Sequence, residues 1–257
     1  MAVVNVTPDS FSDGGRYLNP DAAISHGLAL CEEGADILDI GAESTRPGAA
    51  TVSVQQELDR LLPVIEGLRN CGRPLSIDTR RPQVMLAVLA AGVDMINDVG
   101  GFRSPQAREM VGAASVALCL MHMQGEPSTM QQAPVYRDVV SEVTQFLYLQ
   151  AQLLVVQGVA RERIVLDPGI GFGKTQEQNV ELLRAVPQWR RDGWPVLVGV
   201  SRKSLIGHLT GRALEQRLAG SLGAAVAAVL NGANFVRVHD VAATKDALLT
   251  ALTLANR

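Results

Sequence analysis

The sequence predicts an α/β fold, a closed (β/α)8 TIM barrel in a single domain covering residues 1–257. Three observations carry this reading. Short apolar runs, each ending in a polar residue, alternate with longer stretches of helical periodicity as far as the C-terminus. Eight such runs occur, and no linker or low-complexity segment separates them. The length of 257 residues is near the usual size of one such barrel and is enough to bury a large core. A doubly wound open sheet would use the same repeat, but the dinucleotide fingerprint is missing after the first run, where Thr7-Pro8-Asp9-Ser10 stands instead.

The elements follow in order. Ala2-Val3-Val4 ends in Asn5 and opens into a loop rich in Ser, Asp and Gly. A helix over residues 20–33 comes next, capped by Asn19 and closed by Gly34. Ile37-Leu38-Asp39-Ile40 leads to Gly41 and Glu43, and the loop Ser44-Thr45-Arg46-Pro47-Gly48 precedes a helix that opens at Ser53, with Gln56 spaced for a capping box. Leu75-Ser76-Ile77 ends in Asp78. The helix from Pro82 returns to Met95-Ile96, which ends in Asn97-Asp98, and the run from Val116 to Met121 ends in His122. A helix over residues 138–156 leads to Ile164-Val165-Leu166, which ends in Asp167 and passes into the glycine-rich Pro168-Gly169-Ile170-Gly171-Phe172-Gly173-Lys174. The last two runs, Val196 to Val200 and Phe235 to Val238, end in Ser201 and in His239-Asp240. The Ala-rich stretch 218–230 between them reads as a tightly packed helix and a candidate subunit contact.

Composition narrows the function. A net charge of -3 and a pI near 5.8, with basic residues scattered, give no general pull toward nucleic acid, so any anion site is local. Cys31, Cys71 and Cys119 have no C-x-x-C spacing and read as reduced thiols, and no zinc site is evident. The start has neither a basic flank nor a long apolar region, and no apolar run approaches the length of a membrane span. The expected location is the cytoplasm, with no membrane partner.

In a parallel barrel the C-terminal strand ends converge on one face. That places Asn5, Asp39, Asp78, Asn97, His122, Asp167, Ser201 and His239 in one polar ring over an apolar core. The Asp and Asn members make a wall of acceptors suited to a flat heterocycle with adjacent N–H donors, since a carboxylate such as Asp167 takes two parallel hydrogen bonds from an amino-pyrimidinone edge. Strand alternation aims Arg237 inward, where its guanidinium plane can stack on a ring; Lys203 adds charge and His239 is placed for an anionic group. Gly173-Lys174-Thr175 has the look of a phosphate-loop tail, but Pro168 stands where that motif needs glycine and supplies no N–H. His26, His122, His208, Trp189 and Trp194 read as structural.

Five stretches resemble the signatures of the dihydropteroate synthase family. They are Asn5-Val6-Thr7-Pro8-Asp9-Ser10-Phe11-Ser12-Asp13-Gly14-Gly15, Gly41-Ala42-Glu43-Ser44-Thr45-Arg46-Pro47-Gly48, the run from Asp167 to Lys174, Ser201-Arg202-Lys203-Ser204 and Arg237-Val238-His239-Asp240. The resemblance spans nearly the whole chain. It implies a TIM barrel that joins 4-aminobenzoate to 6-hydroxymethyl-7,8-dihydropterin pyrophosphate and releases pyrophosphate, a transferase step of folate biosynthesis and a sulfonamide target class. It also implies a homodimer. Carried over by position, it makes Asp78, Asn97, Asp167 and Lys203 the pterin pocket, flanked by Met121 and Arg237. Asn5, Arg237 and His239 form the pyrophosphate end, with Asn5 offering its amide oxygen to Mg2+. Thr45, Arg46, Pro47, Phe172 and Ser204 surround the aminobenzoate. The catalytic set so implied is Asp78, Asp167, Lys203, Arg237 and His239. Residues 7–15 and 44–48 correspond to mobile loops, and Asp13 is either a second metal contact or a turn residue. The expected chemistry is dissociative, with a cation on the pterin methylene.

The family commonly carries a segment before its first strand, where this sequence opens almost directly on that strand; the expected consequence falls on stability rather than chemistry, because the functional face is at the opposite end. Two rivals compete. A methyltransferase acting on methyltetrahydrofolate would share the acceptor wall but has no need of the long first loop or of Ser201-Arg202-Lys203-Ser204. A pterin-binding module without turnover would be expected to lack Asn5, Lys203, Arg237 or His239, and all four are present.

Overall fold

The eight predicted runs are eight short parallel strands: β1 Ala2–Asn5, β2 Leu38–Gly41, β3 Leu75–Asp78, β4 Met95–Asp98, β5 Ala117–Met121, β6 Ile164–Asp167, β7 Leu197–Val198 and β8 Phe235–Val236. A computed structural model describes residues 1–7, 20–44, 52–126 and 129–255. Strands β1 to β6 pair in sequence order and β7 pairs with β8. The two breaks are closed by bridges. Leu166 lies beside Val196, with the Leu166 N–H donating to Pro195 O at 2.9 Å. Ala2 lies beside Val238, whose N–H donates to Met1 O and whose carbonyl accepts from Val3 N–H, both at 3.0 Å. Carrying the registers once round from Val238 through Ala2, Leu38 and Leu75 returns to position 230 of the starting strand, a stagger of 238 − 230 = 8 residues. Eight strands with a stagger of eight residues are the geometry of a TIM barrel, whose interior is filled by side chains.

Strand alternation sorts the core into two parts. Val4, Leu38, Ile40, Ile77, Ile96, Leu118 and Leu166 face outward and pack with the helices into one large apolar cluster. Met1, Met95, Cys119, Val165 and Leu197 face the axis and form a separate plug inside the barrel. Toward the C-terminal strand ends the inward positions turn polar, and the site lies there.

The helices are α1 Pro20–Glu32, α2 Val54–Leu68, α3 Pro82–Ala90, α4 Pro105–Gly112, α5 Val139–Val156, α6 Gln176–Arg191, α7 Ser204–Thr210, α8 Leu218–Leu230 and α9 Val241–Leu254. Local chemistry explains their ends. Ser53 and Gln56 make the expected reciprocal capping box, and Thr175 and Gln178 make a second one at α6. Asp138 accepts from Ser141 N–H at 2.9 Å to start α5. Gly34 ends the turn after α1 with φ +94, which favours glycine. Asn19, expected as the cap of α1, lies outside the described residues.

Two expectations need correction. Strands β7 and β8 are shorter than the apolar runs that contain them: Val196 and Val238 pair only as single bridges with Leu166 and Ala2, the Val196 N–H goes to Asn234 Oδ1 at 3.0 Å, and Val200 O takes the Lys203 N–H at 3.2 Å in a turn. Contrary to the sequence reading, α5 has the length and hydropathy of a membrane span. It serves here as a core helix, burying Val139, Val143, Leu147, Ala151 and Leu154 at helical spacing against the barrel.

The loop after β6 is constrained by close approaches to the loop after β5, the tightest of them at Gly169. A Cβ at Gly169, which has φ +68, would stand 1.9 Å from the His122 carbonyl oxygen, whereas one at Gly72, φ +74, would meet nothing within 4 Å. Gly72→Ala should therefore cost only the left-handed backbone penalty of about 1 kcal/mol, while Gly169→Ala should cost roughly 3 kcal/mol or more from the added clash with fixed backbone. Urea denaturation of both variants checks this, and equal losses would mean that the β5 and β6 loops are not held together as described.

Candidate active site

The deepest polar group of the mouth is Asp39. It is inward-facing, 0% exposed, and opposite Val3 and Ser76 in the sheet. Its carboxylate accepts from Ser76 Oγ at 2.6 Å, from Asn97 Nδ2 at 3.1 Å and from Arg237 Nε at 2.6 Å. A carboxylate so far from water requires such partners. This corrects the expected ring: Asp39 lies one pleat below the rim, and the rim position on β2 is Gly41, which pairs with Asn5 on one side and Asp78 on the other. A Cβ at Gly41 would touch Asp78 Cβ at 3.4 Å, so the missing side chain there makes room for Asp78.

Arg237 joins the two layers. While Nε is bound to Asp39, Nη2 reaches Asp78 Oδ2 at 3.2 Å. Burial alone would lower the arginine, but Asp39 and Asp78 hold it above its ordinary value. Burial pushes Asp78 up to about 7, opposed by Arg237 and reinforced by Asp39. Asn97 commits its amide N–H to Asp39 and keeps Oδ1 buried without a partner among the described residues, an acceptor facing an unmet donor.

Across the mouth, Asp167 ends β6 opposite Met121 of β5. Its Oδ1 accepts from Gly169 N–H at 2.7 Å. Burial raises its pKa against the pull of Lys203. Lys203 is pushed down to about 8 by burial, against Asp167. Its Nζ donates to Ile170 O at 2.5 Å and lies 4.8 Å from the Phe172 ring centroid. A Cβ at Gly199 would stand 3.6 Å from Lys203 Nζ and 3.7 Å from Arg237 Cβ, ordinary contact distances that show both cations packing against one strand end. Met121 and Phe172 belong to one small apolar cluster with Val99, Met123 and Met130. His239 sits above, its Nδ1 3.1 Å from Ser201 Oγ, and burial together with Arg237 pushes it down to about 4.

The structure thus brings Asp78, Asn97, Met121, Asp167, Lys203, Arg237, His239 and Phe172 to one end of the barrel, with Asn5 at the end of β1. Ser204 stands at the start of α7, accepting from Gln176 Nε2 at 3.3 Å. Thr45, Arg46, Pro47 and Asp13 lie outside the described residues, as do most of loops 7–15 and 44–48. His122 points away from the ring, its Nδ1 3.1 Å from buried Lys174 Nζ, which fits its structural reading. Asp98 also turns outward, accepting from Gly100 and Phe102 N–H at 2.6 and 2.7 Å. Among the described residues no cluster of three His, Cys, Asp or Glu is placed to hold a metal ion.

Sequence reasoning missed two features. Ser76 is two residues before Asp78, so alternation alone would have put it inward beneath the wall. The ion pairs at the rim carried no local signal. Buried Glu57 accepts from Thr79 Oγ1 at 2.6 Å and pairs with Arg81, which reaches Glu43 at 2.7 Å, while Arg80 pairs with Glu126 at 2.5 Å.

Comparisons with known proteins agree with this geometry. A sequence profile described as pterin binding enzyme matches residues 1–239. The dihydropteroate synthase of Neisseria meningitidis serogroup C is 50% identical over 253 residues, covering 96% of this chain and 89% of the relative. That of Escherichia coli K12 is 44% identical over 249 residues, covering 96% and 88%. Among solved structures, Xanthomonas albilineans dihydropteroate synthase with 4-aminobenzoic acid superposes with a TM-score of 0.93 at 50% identity, covering 100% of this chain and 92% of that one. The same enzyme in complex with 7,8-dihydropteroate gives 0.89 at 47% identity, covering 100% and 93%. The wall of acceptors at a barrel mouth and these likenesses over nearly the full length lead to one conclusion: the chain belongs to the pterin-binding enzymes, as a member of the dihydropteroate synthase family of transferases.

Proposed function

We propose that this protein condenses 6-hydroxymethyl-7,8-dihydropterin pyrophosphate with 4-aminobenzoate to give 7,8-dihydropteroate and pyrophosphate. The observation that carries the reading is the acceptor wall formed by Asp78, Asp167 and the partnerless Asn97 Oδ1, backed by the fixed Arg237 and flanked by Met121. A pterin presents adjacent N–H donors on one edge and a flat face, and both needs are met there. Lys203 donates toward the ring's acceptor side, as its contact with Ile170 O places Nζ at the mouth.

Charge orders the reaction. Asp39, Asp78 and Asp167 against Arg237 and Lys203 leave a formal charge of -1 around the pocket when all are ionised. That balance favours a ring that becomes positive as the bond to pyrophosphate breaks, before the amine attacks. Arg237 and His239 face the departing oxygens, and no side-chain nucleophile is required. A Mg2+ bound with the pyrophosphate would supply further screening of its charge. Asn5, with one neutral amide oxygen at the rim, would hold such a hard ion, which keeps most of its ligands from water and phosphate. Phe172, Ser204 and residues 45–47 form the aminobenzoate side. A homodimer and a cytoplasmic location belong to the same reading, with α8 as the candidate contact.

Purified protein given the dihydropterin pyrophosphate and magnesium should release pyrophosphate and form dihydropteroate only when 4-aminobenzoate is present; pterin binding without either product would favour a binding module instead. Asp78→Asn should lower kcat/KM for the pterin substrate roughly tenfold to a hundredfold by removing a charged acceptor, while pyrophosphate binding survives. Turnover unchanged in that variant would reject the role of Asp78. Since burial pushes Asp78 up to about 7 and its carboxylate form is the stronger acceptor, kcat/KM should rise with pH through about 7 and fall again above about 8 as Lys203 loses its charge. The sign follows from the raised pKa: lower pH protonates the acceptor. Asp78→Asn should flatten the rising limb, and its persistence would assign it to another group.

A further inference from the structure

The loop after β6 holds a charged side chain that the reaction above does not use. Lys174 is 2% exposed, and its Nζ lies 3.1 Å from His122 Nδ1, 3.2 Å from His122 O, 3.0 Å from Gly169 O and 2.9 Å from Phe172 O. In its ammonium form the lysine has three donors for these four acceptors, so one N–H is shared between two of them, while burial pushes its pKa down to about 7. With the lysine charged, His122 receives through an unprotonated Nδ1. Burial, and then the lysine's own charge, push His122 down to about 3, which keeps the ring neutral for that role. The acceptors come from two loops, the one after β5 and the one after β6. Gly169, Gly171 and Gly173 have φ of +68, +84 and +64, and two of the loop's carbonyls converge on the single point where Nζ sits.

The same loop forms the surroundings of Lys203. Ile170, next to Gly169, supplies the carbonyl that Lys203 Nζ binds, and Phe172, whose carbonyl binds Lys174, supplies the ring beside it. A Cβ at Gly171 would stand 3.4 Å from Lys203 Cδ, so the loop backbone also lines the stem of that lysine. We infer that Lys174 is a positioning residue for pterin binding: by gathering the Gly169 and Phe172 carbonyls with His122, it fixes the Ile170 carbonyl and the Phe172 ring that hold Lys203 at the mouth. The inference rests on the pterin reading of the site. A lysine that served only to stabilise the barrel would have no particular coupling to Lys203.

That difference gives the test. Lys174→Met removes the ammonium at nearly constant chain length; Lys174→Gln, which keeps two donors, replaces it if the first variant does not fold. Each is combined with Lys203→Met, and all proteins are titrated with 6-hydroxymethylpterin, read by its fluorescence. Each single change should weaken binding on the order of tenfold, and the double change should do no more than the worse single one, because groups acting through one contact are not additive. Losses that multiply would overturn the inference. Hydrogen exchange read by mass spectrometry on the same variants needs no ligand: residues 169–173 and 122–124 should exchange faster while α2 and α9 keep their protection. Unchanged exchange in the loop, or faster exchange throughout the chain, would also overturn it. If the unmodified protein fails to bind the pterin, the pterin reading falls, and the exchange result still decides whether Lys174 holds the loop.

Discussion

A carboxylate that the mouth does not expose sets the geometry of everything above it. Asp39 sits just beneath the rim, over an apolar plug of Met1, Met95, Cys119, Val165 and Leu197, where an unpaired charge would cost several kcal/mol. Its three donors come from three places: Ser76 on β3, Asn97 on β4 and Arg237 just beyond β8. Each bond leaves its donor residue with fewer choices. Asn97, with one Nδ2 N–H committed to Asp39, presents Oδ1 as its unpaired acceptor among the described residues, and this amide orientation is the one the network requires. Arg237, with Nε committed, has its guanidinium plane fixed and turns Nη2 toward Asp78. Asn97 and Asp78 are therefore oriented from below, whereas Asp167 across the mouth is held by the Gly169 N–H of the loop that follows it.

Burial acts on four ionisable groups of the mouth in the same sense, toward neutrality. It raises Asp78 and Asp167 and lowers Lys203 and His239. The opposite charges nearby resist this without cancelling it, so several groups titrate closer to neutral pH than they would in water. Such a site is responsive: a ligand that brings N–H donors favours the carboxylates, and one that brings anionic oxygens favours the cations. A substrate with a donor-rich ring at one end and a pyrophosphate at the other satisfies both halves at once.

The sequence made part of this visible because the relevant signals are local. Alternation in Leu75-Ser76-Ile77-Asp78 and in Phe235-Val236-Arg237 separates helix-facing from axis-facing positions with no further information. Ser53 and Gln56 announce their cap by spacing. Depth along the barrel is different. Asp39 and Gly41 both point inward, and only the eight-residue stagger of the closed sheet decides which of them reaches the rim. Reading Asp39 as a rim residue treated the end of an apolar run as the end of a strand. Lys174 was hidden for another reason. Its meaning lies in His122, a residue 52 positions away, and in a turn whose carbonyls converge only once three glycines adopt positive φ.

The rim keeps its own charges apart from the wall. Glu57 is 1% exposed and is satisfied by Thr79 and Arg81; Arg81 also takes Glu43, and Arg80 takes Glu126. This chain of alternating charges crosses the loops after β2, β3 and β5. Arg80 and Arg81 follow Asp78 by two and three residues, close enough in sequence to be alternative partners for it. Their commitment to Glu43, Glu57 and Glu126 leaves Asp78 with Arg237 as its ion-pair partner among the described residues. Arg237 is in turn shared with Asp39, so Asp78 receives the weaker, 3.2 Å half of a divided cation. A fully paired carboxylate would have little acceptor strength left for a ligand. The rim network and the deep Asp39 thus act on the same group from two sides, and between them they keep Asp78 anchored but still available.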